Sequence, residues 1–327
     1  MPLHPVIVFL GGLVVIVVGA EVMLRGSTRI AAMLGIRPIL IGLTVVAVGT
    51  SAPEFAVGLT AVLEGKGALA VGNIAGTNML NILFILGLSA AIRPLPLQLQ
   101  SIRLDVPVMI ASAVVLFLMA LDGVLSRVEG LLLVLGAVAY TVVLVRFSQR
   151  ESAELKQEYA EEFGQEALGS ERGLARGSWN ATLLLVGIAL TILGAELLVA
   201  GAVDLARTFG ISDAIIGLTI VAIGTSAPEL ATTIVSTIKD DRDVAVGNLI
   251  GSSISNILLI LGMTCLLAPN GVDVSADVLR VDLPLAAAVA IACFPVFRSD
   301  AKVSRLEGIV FVVCYLVYLG TLVFVRS

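Results

Sequence analysis

Charge is scarce in this chain, and histidine is almost missing. Asp, Glu, Lys and Arg make up 14% of the 327 residues, against about a quarter in an ordinary soluble domain. The one histidine, His4, lies near the N-terminus, which excludes histidine-based metal clusters and Ser-His-Asp catalysis. Cys265, Cys293 and Cys314 sit in apolar stretches with no CxxC spacing, so neither a disulfide framework nor a zinc site is expected. Net charge is only −5, with no long basic run, which removes nucleic-acid binding from the candidate functions. What remains is apolar: 58% of the residues are hydrophobic and the mean hydropathy is +1.06. Too little polar surface is left to cover a water-soluble globule. The composition is that of a polytopic membrane protein.

Stretches of about 20 apolar residues can cross roughly 30 Å of hydrocarbon as helices. Ten can be placed, near 5–24, 39–63, 68–91, 105–121, 128–147, 179–203, 214–238, 243–267, 281–297 and 306–325. The first begins without a basic leader and reads as a retained span, not a cleaved signal peptide. All should be helical, because backbone groups facing lipid must be satisfied within the segment. Residues 148–178 stand apart, with charges clustered from Arg150 to Glu162. They read as a solvated linker, a hydrophilic helix or loop too short for an independent domain.

The two parts flanking that linker repeat. At an offset of 175, residues 19–54 match 194–229 at 19 of 36 positions. The offset persists from VGNIAGTNMLNILFILG (71–87) to VGNLIGSSISNILLILG (246–262), then drifts to 177 and 178. Each part holds five spans, and an odd number forces the second to enter the membrane upside down. The expected fold is therefore all-α: ten transmembrane helices in two inverted five-helix repeats, 1–147 and 179–327. Of the 20 basic residues, 15 fall on the side of the 148–178 linker and 5 on the other. By the positive-inside rule the linker is cytoplasmic and both termini lie outside, in a multi-pass protein of the cytoplasmic membrane.

Chemistry is concentrated in the second span of each repeat, which carries Gly49-Thr50-Ser51-Ala52-Pro53-Glu54 and Gly224-Thr225-Ser226-Ala227-Pro228-Glu229. A carboxylate deep in a span costs about 2.5–3.5 kcal/mol on insertion scales, so it needs a partner or a task. Proline removes a backbone donor and crowds the carbonyl four residues back, at Gly49 and Gly224. Helical spacing puts Ala47, Thr50, Ser51 and Glu54 on one face, and Ala222, Thr225, Ser226 and Glu229 on its counterpart. The third and eighth spans add stripes at i, i+4, i+8: Asn73, Thr77 and Asn81, then Asn248, Ser252 and Asn256. Brought together at mid-membrane, these groups form an all-oxygen set suited to hard cations such as Ca2+ and Na+.

Other matched polar residues invite quieter readings. Glu21 and Glu196 read as interfacial caps. Asp105 and Asp282 read as ion pairs with Arg103 and Arg280, and Arg127 and Arg305 with Glu129 and Glu307. Gly42, Gly72, Gly76, Gly217, Gly247 and Gly251 fit close helix packing around the site.

The doubled GTSAPE segment, each followed by G-N-x-x-G-[ST]-x-x-x-N, resembles the paired alpha-repeats of the calcium/cation antiporter superfamily, in its prokaryotic sodium/calcium exchanger branch. The likeness covers essentially the whole chain. It implies an ion cavity between spans 2, 3, 7 and 8, with Glu54 and Glu229 as shared ligands of Ca2+ and Na+. Thr50 and Thr225 would contribute backbone carbonyls to the calcium site. Ser51, Thr77 and the Ala47 carbonyl would flank it with one sodium site, and Ser226, Ser252 and the Ala222 carbonyl with another. Some relatives carry Asp where this chain has Asn81 or Asn256, and in potassium-dependent exchangers that Asp is tied to K+ use. Asn at both positions argues for K+ independence.

The expected function is thus secondary antiport of Ca2+ against Na+, with no resident cofactor and the lipid bilayer as the surrounding partner. A monomer should suffice. Two carboxylates about 4 Å apart repel by about 4 kcal/mol at an effective dielectric of 20, so a cavity loaded with cations closes more readily than an empty one. Spans 1 and 6 are the expected moving bundle. The rival is H+/Ca2+ antiport through the same carboxylates, which would leave the hydroxyl pairs without a task. A hydrolase built on Ser51 or Ser226 is disfavoured because no His or Lys base lies in register with either. A passive channel would take up Ca2+ without an opposing gradient.

Overall fold

Apolar runs in hydrocarbon have no water to bond their backbone, and helices result. The computed structural model describes residues 4–98, 101–163, 171–210, 220, 222–299 and 301–326. In chain order the helices are α1 (Pro5–Leu34), α2 (Pro38–Thr50), α3 (Ala52–Leu63), α4 (Gly67–Ile92), α5 (Ser101–Asp122) and α6 (Arg127–Phe163). The second half supplies α7 (Glu171–Thr208), α8 (Ala222–Gly224), α9 (Ala227–Ile238), α10 (Arg242–Leu267), α11 (Val278–Arg298) and α12 (Arg305–Arg326). Among the described residues eight helices are long and apolar enough to cross a membrane, and the bent pair α2–α3 makes a ninth candidate. The expected span 214–238 is seen at 220 and from 222 onward. The rest of it, Gly217 included, lies outside the described residues.

Several boundaries differ from those expected. α1 runs ten residues past the expected end at 24, because Arg25 and Arg29 do not break a helix. Gly35, in the left-handed region at φ 61°, ends it by donating to the Ala31 and Ala32 carbonyls. α6 and α7 likewise carry helical backbone into the linker, as far as Phe163 and from Glu171.

α1 and α7 lie antiparallel and interlock through glycines spaced by seven. Gly12, Gly19 and Gly26 face Leu198, Thr191 and Leu184, while Gly187, Gly194 and Gly201 face Met23, Ile16 and Phe9. A Cβ at any of the six would lie 2.3–2.6 Å from a backbone nitrogen of the opposite helix, so only glycine admits this approach. The remaining helices surround one apolar core drawn from both halves, centred on buried faces of α4 and α10.

Polar pairs at the helix ends depart from the expected ion pairs. Tyr140 Oη donates to Asp105 at 2.9 Å, and Tyr318 Oη to Asp282 at 3.5 Å. A tyrosine from the next helix thus takes the place expected for arginine. Glu129 accepts from the Ser126 backbone N–H (2.7 Å) and hydroxyl (2.8 Å), and Glu307 does the same with Ser304. Both are capping boxes that start α6 and α12. Arg127 instead donates to the Ala268 carbonyl at 2.8 Å. Two short antiparallel ladders tie the halves together outside the helices: β1 (Leu95–Pro96) with β4 (Lys302–Val303), and β2 (Val124–Leu125) with β3 (Val272–Asp273).

Candidate functional site

The helix break predicted at each GTSAPE segment is present. Ser51 leaves helical geometry at φ −81°, ψ 10°, and Ser226 does so at φ −91°, ψ 11°. Pro53 and Pro228 sit in the first turn of α3 and α9, where a missing N–H costs nothing. The axes of α2 and α3 differ by 41°. Glu54 and Glu229 therefore stand in the first turn of a half-helix, where the positive end of the backbone dipole favours a carboxylate.

The two breaks meet through crossed hydrogen bonds. Ser51 Oγ donates to Glu229 Oε1 at 3.2 Å, and Ser226 Oγ donates to Glu54 Oε1 at 3.3 Å. All four side chains are completely buried. Each glutamate keeps its second oxygen, Oε2, buried and without a hydrogen-bond partner among the described residues. An unpaired buried carboxylate oxygen is costly, and here two occur at symmetric positions.

Of the other expected residues, Thr50, Ala47 and Ser252 are joined to one another. Thr50 Oγ1 donates to the Ala47 carbonyl and to Asn248 Oδ1, both at 3.3 Å. Ser252 Oγ reaches the Ala47 carbonyl at 3.4 Å. That contact crosses the halves, and it joins a hydroxyl assigned to one flanking sodium site with a carbonyl assigned to the other. Thr77 is buried on α4, and Thr225 is half-buried and hydrogen-bonded at the second break. Ala222 opens the short α8; its side chain lies outside the described residues.

Asn81 and Asn256 occupy widened π-helical turns, Leu80–Leu86 and Asn256–Leu261, a distortion frequent at functional sites. Their surroundings differ. Asn256 Nδ2 donates to Asn78 Oδ1 at 3.1 Å, and Asn78 Nδ2 donates to the Ser253 carbonyl at 2.9 Å. Asn81, also fully buried, has no partner for either amide atom among the described residues. Asn78 escaped the reading of the sequence because its repeat counterpart is Ser253, so symmetry gave no signal. Thr233, which accepts from Asn248 at 3.3 Å, was hidden for the same reason, its counterpart being Gly58. Gly247 and Gly251 do bring α10 against α2, where an added Cβ would come within 2.6 Å of the Ile39 carbonyl and 2.7 Å of Leu43 Cα. Gly76, by contrast, meets nothing within 4 Å among the described residues, so close packing does not explain it.

The family model described as sodium/calcium exchanger protein matches residues 4–146 and 179–324. This chain belongs to the sodium/calcium exchanger family. It is 36% identical over 311 residues to the putative antiporter CaxA of Alkalimonas amylolytica, covering 94% of this chain and 95% of that one. It is 30% identical to the sodium/calcium exchanger MaX1 of Methanosarcina acetivorans, over 98% of each chain. A solved structure of the sodium-calcium exchanger NCX_Mj, soaked with Na+ and Sr2+, superposes with a TM-score of 0.83 at 28% identity, covering 98% of this chain and 99% of that one. The family consists of transporters. This exchanger is accordingly a multi-pass membrane protein and a transporter, not an enzyme.

Proposed function

We propose that this protein exchanges Ca2+ for Na+ by alternating access, independently of K+, across the cytoplasmic membrane. The observation that carries the reading is the pair of crossed Ser–Glu hydrogen bonds, which leave one free carboxylate oxygen on each side of a buried site. Two such oxygens, with Thr50, Thr225, Ser51, Ser226, Thr77, Ser252 and the Ala47 and Ala222 carbonyls nearby, make a hard-cation site of charge −2. One Ca2+, or several Na+, offsets that charge. Asn81 and Asn256 add oxygens without charge, which disfavours K+ as a further substrate. In this reading the linker 148–178 is cytoplasmic, both termini are outside, and residues 1–147 and 179–327 act as the two inverted repeats.

The test is 45Ca2+ uptake into proteoliposomes with one gradient at a time. Na+-loaded vesicles should accumulate Ca2+, and added K+ should change nothing. Uptake driven by a proton gradient and indifferent to Na+ would replace this reading with H+/Ca2+ antiport.

A further inference from the structure

The two halves are not arranged alike. Under the 175-residue offset Val244 on α10 corresponds to Leu69 on α4, yet Val244 is 1% exposed and Leu69 56%. Ala227 and Val235 on α9 are buried, whereas their counterparts Ala52 and Thr60 on α3 are exposed. α1 makes the difference. Its Ala20 and Leu24 pack against Val235 and Val244, and its Ile16 packs against Ala227. One end of the site is thus sealed by α1, and the equivalent flank along α3 is uncovered.

At the sealed end a charge contact joins the two packed parts. Lys239, just past α9, places Nζ 2.7 Å from Glu21 Oε1 on α1. Arg25, one turn along α1, pairs with the same carboxylate oxygen. Asp240 does not compete for the lysine, because Arg242 and Arg93 hold it and the Arg242 guanidinium keeps its carboxyl below the usual range. The repeat maps Glu21 onto Glu196, but it maps Lys239 onto Glu64. Glu64 in turn pairs with Lys66 at 2.8 Å. The residue that supplies the cation at one end is a carboxylate at the other.

We propose that the Glu21–Lys239 ion pair is a one-sided latch that biases the exchanger to rest with the Lys239 end closed. The inference rests on the alternating-access reading above. In an inverted repeat the opposite-facing state is reached when the halves exchange arrangements. α7 would then cover α3, bringing Glu196 toward Glu64, a carboxylate already paired with Lys66, so the attraction of the Lys239 end has no equivalent there. An exposed ion pair is a weak contact, and Glu21 and Lys239 are 32% and 39% exposed. Weak contacts still matter between two nearly balanced states, where this pair shifts the population ratio about two- to five-fold. Ions binding from the sealed side would see their apparent affinity reduced by the fraction of molecules open there.

The test measures distance and not transport, so it can fail or succeed independently of which ions are exchanged. Spin labels at Leu34 and Ile238, both exposed near the sealed end, are placed in the full-length protein with Cys265, Cys293 and Cys314 replaced by alanine. Pulsed electron resonance in nanodiscs without transported ions then reports the α1–α9 separation. Lys239→Gln and Glu21→Gln should each add a longer-distance population, about two- to five-fold above the starting protein, and Lys239→Arg should not. Glu64→Lys, which offers Glu196 a cation, should move the distribution the same way as Lys239→Gln. Distributions unchanged in both Lys239→Gln and Glu21→Gln would overturn the proposal.

Discussion

Glu54 and Glu229 each accept one serine hydroxyl from the opposite repeat and, among the described residues, leave one oxygen free, and the proposed ion site rests on this arrangement. Replacing either by glutamine keeps the size and one oxygen but halves the charge facing a divalent ion. A buried charge-assisted contact is worth about 1.5–3 kcal/mol, so Ca2+ binding should weaken at least tenfold and 45Ca2+ exchange should all but disappear. Glu54→Gln and Glu229→Gln should be affected alike, because the crossed bonds make them equivalent; normal exchange by either, at normal expression, contradicts the assignment. The asparagines should not behave alike. Asn256→Ala strands the Asn78 amide oxygen, at a cost of about 1–3 kcal/mol, whereas Asn81→Ala removes two atoms that have no partner among the described residues. In ion-free detergent, Asn256→Ala should therefore lower the melting temperature more than Asn81→Ala does. The reverse order would show that the Asn78–Asn256 bond is not what holds that turn.

Among the elements, the α1–α7 pair depends on backbone proximity and not on side-chain volume. Gly194→Val puts a side chain where a Cβ already falls 2.3 Å from the Ile16 nitrogen. The helices must separate, and thermal stability should fall by several degrees. Gly11→Ala, one residue from the interface position Gly12, meets nothing within 4 Å among the described residues. It should be neutral or stabilise by up to about 1 kcal/mol through helix propensity. Equal melting shifts in the two variants would contradict the interlock. The glycine spacing of seven is present in the sequence at 12, 19 and 26 and again at 187, 194 and 201, apart from the glycines expected to pack around the site (Gly42, Gly72, Gly76, Gly217, Gly247 and Gly251). The helix breaks were legible because proline and a repeated motif mark them. The tyrosine partners of Asp105 and Asp282 were not, since they lie 35 and 36 residues away and nothing local points to them. The π-helical turns at Asn81 and Asn256 left no local signature either.

For the whole molecule, the doubled sequence foretold a membrane fold of two related halves, and the family match covers both. Symmetry could not foretell the asymmetry. Corresponding positions of the repeat are buried to different extents because α1 lies over α9 while the corresponding surface of α3 is uncovered. Equally, the exceptions to the repeat, Asn78 against Ser253 and Lys239 against Glu64, mark places where the two halves make different contacts. The central claim is that a single site of charge −2 is filled in turn by Ca2+ and by Na+. The most direct measurement follows both ions in the same vesicles, as 45Ca2+ uptake and 22Na+ release. Charge counting predicts that Ca2+ entry and Na+ release stop together when either ion is withdrawn, with no fewer than two Na+ released per Ca2+ taken up. Sustained Ca2+ entry without Na+ release would contradict it.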